Sequence, residues 1–148
     1  MVRYLLRRRL IAIVALFAPC SWAADPAVAQ VAVERLTEIL GADKRAYFAE
    51  RLADSGLPAA DILRIASQAV HEYSKCIVDA LAESEDPRSQ ELLALLAQAS
   101  TRQDIRDAIE QTDTGKDSAF EASLGPVVKP CMYSVNQELG LPADDDAT

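Results

Sequence analysis

The chain is short of aromatic residues, has a single histidine, and nowhere sustains an alternation of polar and apolar positions. Each shortage closes a route. The one tryptophan is Trp22, and the remaining aromatics are scattered Tyr and Phe, so stacking platforms for sugars or nucleobases are hard to build. Dispersed β-branched residues without period-two patterning argue against strands. The lone His71 is followed by Glu72, but position 75 is Lys75, so the zinc-protease pattern H-E-x-x-H fails for want of its second ligand. The serines have no histidine partner at any evident spacing for nucleophilic chemistry.

Three further short matches fall for similar reasons. Asp113-Thr114-Gly115 reproduces an aspartic-protease tripeptide, yet that chemistry needs two carboxylates held together on a β-framework. Gly115-Lys116 lacks both the upstream glycine and the following Ser or Thr of a phosphate loop. Asp144, Asp145 and Asp146 lack the glycine turn and the bidentate glutamate of a calcium loop. The sequence therefore predicts neither an enzyme nor a cofactor or metal site.

What is present begins at the N-terminus. Arg3, Arg7, Arg8 and Arg9 precede a wholly apolar run, residues 10–18, and Ser21-Trp22-Ala23 supplies small residues where a signal peptidase reads them. This predicts a signal peptide over residues 1–23, with cleavage after Ala23 and Ala24 as the second choice. The apolar run stops at Pro19, short of the roughly 20 residues that span a bilayer, so no stable membrane anchor is expected. Leu6 stands before the arginine triplet and no lysine follows the start of the apolar run, which favours Sec-type over twin-arginine export. Pro19 before Cys20 disfavours lipidation of that cysteine.

Removal of Cys20 leaves an even pair, Cys76 and Cys131, for a disulfide in an oxidising compartment such as the periplasm or the exterior. It also removes four arginines and no acid. The remainder then carries 11 basic against 23 acidic side chains, a net charge of −12 in place of −8 for the whole chain. That balance argues against nucleic acid and anionic lipid, and leaves a basic protein as the partner that charge would favour.

Ala, Leu, Glu, Gln and Arg fill the intervals between turn residues, predicting an all-α fold: a single-domain bundle of about five or six helices closed by one disulfide. The domain should occupy residues 24–141, with an acidic tail over residues 142–148. Helix signals place the elements at about residues 26–40, 42–54, 58–84, 87–99 and 101–111, then a loop over 112–117. Beyond it lie a short helix at about 119–124, ended by Gly125, and a last helix that starts near Pro126 or Pro130, or is kinked at Pro130, and is ended by Gly140. The longest predicted helix has a seam of Ile62, Ala66, Ala69, Tyr73, Cys76 and Ala80, stepping by four and three, which marks it as central.

These features together point to an exported, non-catalytic protein-interaction domain, such as an inhibitor, an immunity-type partner or an envelope accessory factor. A chaperone that loosens on acidification and a carrier of a small apolar ligand are the alternatives. Candidate binding residues are His71, Tyr73 and Tyr133, the two tyrosines lying near the sulfurs in sequence.

Overall fold

The computed structural model describes residues 25–112 and 119–141, with the backbone alone for 119–124 and 126. The expected signal peptide, the Asp113 to Lys116 matches and the acidic tail lie outside those residues. Among the described residues there are five α-helices and one short 3-10 turn, and no strand. They are α1 (Pro26–Arg51), the 3-10 turn (Ala53–Ser55), α2 (Ala59–Glu83), α3 (Pro87–Leu96), α4 (Arg102–Thr112) and α5 (Ala119–Glu138). None of these helices is long and apolar enough to cross a membrane.

Two of the expected breaks are not breaks. The helices read at 26–40 and 42–54 are one helix, α1, which runs through Gly41. A glycine inside a helix is about 1 kcal/mol less favourable than alanine. The helix formers of Ala42-Asp43-Lys44-Arg45 come directly after it, and no proline does. Gly41 is buried in α1, where the faces on either side of it pack into the core. The real stop is Gly56, whose φ of 76° is left-handed and suits glycine, just before Leu57 and Pro58.

The last helix is likewise continuous, through Gly125, Pro126 and Pro130. Each proline withholds an N–H from the carbonyl four residues back, a cost of about 3 kcal/mol in a helix interior. Burial of Cys131, Val135 and Asn136 and the disulfide at Cys131 work against that cost. The end at Gly140 is as expected. With φ 67°, it donates its N–H to the Gln137 carbonyl at 3.0 Å, while the Leu141 N–H reaches the Asn136 carbonyl at 2.8 Å. These are the paired bonds of a Schellman motif, and Leu141 packs back on the core.

Capping fixes the other starts. Asp25 Oδ1 accepts the Ala27 N–H at 2.9 Å ahead of Pro26, and Asp86 Oδ1 accepts the Arg88 N–H at 2.9 Å ahead of Pro87. At α4, the Asp104 N–H bonds Thr101 Oγ1 at 3.2 Å, and Asp104 Oδ2 accepts from the N–H groups of Ser100 at 2.7 Å and Thr101 at 2.8 Å. This reciprocal arrangement is a capping box with aspartate in place of the usual glutamate. Gln90 of α3 donates to the carbonyls of Leu81, Ala82 and Ser84, satisfying the C-terminus of α2 and fixing where α3 departs.

Helix α2 is the centre, packed against α1, α3 and α5. Its buried residues form two adjoining strips, Ala66, Ala69, Tyr73 and Ile77 beside Val70, Ser74, Val78 and Leu81; the sequence pattern anticipates Val70, Ile77 and Leu81 as widening the seam, but not Ser74 and Val78. Three neighbours bury more of a helix than one can. Phe48 of α1, Leu92 and Leu93 of α3, and Cys131 and Val135 of α5 complete the core. The expected bridge is formed: Cys76 and Cys131 are joined with Cα atoms 5.6 Å apart, tying α5 to α2 over a separation of 55 residues.

Candidate functional site: two grooves of opposite charge

The candidate residues read from the sequence occupy different places. Tyr73 is 3% exposed, inside the core, and burial pushes its hydroxyl pKa up. Tyr133 is 56% exposed on α5. His71 stands on the exposed face of α2 and lines a shallow depression beside α1 together with Lys75 and Asp79. The three do not converge. The described residues hold no group of three or more His, Cys, Asp or Glu arranged to hold a metal ion.

Two grooves do bring side chains together. The first lies between α2 and α5, with a volume of about 390 Å³. On α2, Ile65, Gln68, Ala69 and Glu72 fall on one face by their spacing, and on α5 Val135, Glu138 and Leu139 do the same. Leu52 and Leu57, from the connection after α1, close one end. The apolar surface open in this groove is that of Leu57, 41% exposed, with half-buried Ile65 and Leu139, and the charged lining residues are Glu72 and Glu138.

Past Glu72, Val135 and Glu138 the groove continues as a smaller depression over the disulfide, lined also by Lys75, Cys76, Asp79 and Ser134. There the Lys75 ammonium is held by Asp79 at 2.5 Å. That hydrogen bond, and after it the attraction of the same carboxylate, raises the lysine pKa. With Lys75 matched by Asp79, the excess charge of the groove is that of its two glutamates.

The second groove lies between α1 and α4, with a volume of about 510 Å³, lined by Leu40, Asp43, Lys44, Tyr47, Arg102, Ile105 and Arg106. Leu40, Tyr47 and Ile105 supply apolar surface. Among the described lining residues three cations face one carboxylate, and that carboxylate, Asp43, is ion-paired with Arg102. The Lys44 ammonium stands 5.3 Å from the centre of the Tyr73 ring and 5.5 Å from that of Tyr47, a double cation–π contact that orients it. Tyr47 Oη in turn lies 3.4 Å from the donating Nδ2 of buried Asn136 on α5, so the floor of this groove is tied through the core.

Neither Glu72 and Glu138 nor Lys44, Arg102 and Arg106 stand out as binding residues in the sequence. A signal for the second groove exists in the i, i+4 spacing of Arg102 and Arg106 flanking Ile105, which sets two guanidiniums and an aliphatic side chain on one helix face. The described residues form a disulfide-closed bundle of helices that carries these two grooves on its surface. The chain matches no protein-family model, and comparison with curated proteins and with solved structures returns no match.

Proposed function

We propose that the protein is exported and acts as a non-catalytic protein-interaction domain, its α2/α5 groove receiving a basic segment of the partner. The observation that supports this reading is the α2/α5 groove itself: exposed Leu57 and half-buried Ile65 and Leu139 beside Glu72 and Glu138. An apolar side chain of the partner would seat on that apolar surface and supply affinity through desolvation, while a neighbouring lysine or arginine meets the glutamates and sets orientation and approach rate. The acidic balance of the whole chain, −8, attracts such a segment from a distance. The disulfide supports the exported part of the reading, because intramolecular bridges persist in oxidising compartments.

The test uses a photo-crosslinking residue in place of exposed Gln68 in cells that export the protein, beside a variant that also carries Glu72→Lys and Glu138→Lys. The expected result is one basic partner crosslinked at stoichiometric yield, lost in the charge-reversed variant, with an association rate that falls steeply as salt is raised. A crosslinking pattern that survives the two reversals unchanged would overturn the reading. Mass spectrometry of the recovered protein checks export independently, by an N-terminus after Ala23.

A further inference from the structure

We infer that the α1/α4 groove binds a small organic anion with an apolar body, of the alkyl-carboxylate kind. The case begins with charge. In a chain of net −8, the described residues lining this depression include Lys44, Arg102 and Arg106 and one carboxylate, Asp43. Of the described grooves and depressions, this is the one where Lys and Arg outnumber carboxylates, which favours an anion there.

Geometry separates the roles of the cations. Asp43 already holds Arg102, which leaves the guanidinium braced between α1 and α4. Arg106 lies one turn further along α4 on the same face and has no carboxylate within ion-pair distance among the described residues. Its planar fork matches a carboxylate in bidentate fashion. The Lys44 ammonium, oriented over the rings of Tyr47 and Tyr73, adds a second positive centre on the opposite wall. Arg106 therefore receives the head of the ligand, while Arg102 and Lys44, each held by contacts of its own, form the walls on either side.

The floor selects the body attached to that head. Leu40, Tyr47 and Ile105 offer apolar surface that inorganic phosphate or sulfate would leave wet, whereas an alkyl or aryl body covers it. Nucleic acid fits poorly, since its further phosphates would meet the acidic remainder of the surface.

The experiment titrates the oxidised protein with decanoate below its micelle concentration and monitors backbone amides by NMR, with decan-1-ol and decyltrimethylammonium as neutral and cationic controls. Saturable shifts centred on residues 40–47 and 102–106 are expected, with decanol at least several-fold weaker and the cation weaker still. Arg106→Glu, an exposed position, should weaken decanoate at least tenfold while its circular dichroism melt stays in place; Arg106→Gln should fall between the two. Absence of saturable shifts, shifts centred elsewhere, equal affinity for decanol, or unchanged affinity in Arg106→Glu would each overturn the assignment. None of these readouts depends on the α2/α5 groove having a partner.

Discussion

The two grooves are built alike and charged oppositely. Each offers aliphatic surface between two helices, but glutamates border the one on α2 and α5, while lysine and arginines border the one on α1 and α4. Their supports differ too. A covalent bond at Cys76–Cys131 holds the walls of the first, whereas the second relies on an exposed ion pair, Asp43–Arg102, and on the cap of α4. The comparison separates two ways of holding helices at a fixed distance, one independent of pH and salt and the other sensitive to both.

Breaking the bridge should have the largest effect. In the chain-entropy account, closing a loop of about 55 residues contributes on the order of 4 kcal/mol, a large share of a typical domain stability of about 5–15 kcal/mol. Replacing Cys76 and Cys131 together by alanine should lower the urea-unfolding free energy by about that amount. The variant also tests locality: if the bridge serves the α2/α5 groove, amide exchange should rise at residues 131–139 before it rises at 102–106.

Core truncation under the second groove comes next. Phe48 is fully buried and meets the Tyr47 ring edge-on at 5.2 Å, so Phe48→Ala should cost about 3–5 kcal/mol and loosen Tyr47 above it. Decanoate affinity should drop in this variant more than binding of the basic partner does. Equal losses at both grooves would show that they are coupled through the core rather than independent.

A smaller change should strengthen one groove. Asp43→Asn removes the only carboxylate among the described residues that line the cationic groove. One charge at about 4 Å is worth about 1 kcal/mol in water, so decanoate should bind about fivefold more tightly. The exposed pair with Arg102 contributes about 0–1 kcal/mol to stability, and the melt should move little. A weaker decanoate complex in Asp43→Asn would mean that the pairing of Arg102 matters more than the sign of the groove.

Much of the fold is legible in the sequence because its punctuation is chemical. Pro58, Asp86-Pro87 and Thr101 each start a helix where the residue pattern predicts one, and Gly140 ends the last helix. Gly41, Gly125 and Pro130 mislead for the same reason that the others guide correctly. A glycine or proline is only a local preference, and packing of the flanking faces overrides it where both sides have a core to join. The pairing of Cys76 with Cys131 comes from arithmetic once Cys20 is assigned to the signal peptide. The grooves are hidden because they depend on which helix faces meet: Glu72 and Glu138 are 66 positions apart in the numbering, and nothing local relates them.

The smallest expected effects lie at the two ends of the pH scale and sharpen the contrast between the supports. The Asp104 carboxyl pKa is lowered, first by the Ser100 N–H and then by that of Thr101, and Asp86 is lowered by its hydrogen bonds to Arg88. A carboxylate whose folded pKa is depressed gives stability that is present above its unfolded value and lost as pH falls through the folded one. Lys75 runs the other way. Its pKa is raised, first by the hydrogen bond to Asp79, so its contribution is present below the unfolded lysine value and lost as pH climbs through the raised one. Acid should therefore loosen the α3 and α4 starts, and with them the cationic groove. Strong alkali should release the Lys75–Asp79 contact beside the disulfide, where the covalent bond still holds the walls. Amide protection at residues 100–106, taken relative to the unstructured exchange rate at each pH, should fall in the native chain between pH 6 and pH 3. Asp104→Ala, which lacks the group that titrates, should show reduced protection there at both pH values. If protection at 100–106 in the native chain is indifferent to pH, the capping box does not hold α4, and the second groove must owe its shape to Asp43 and Arg102 alone.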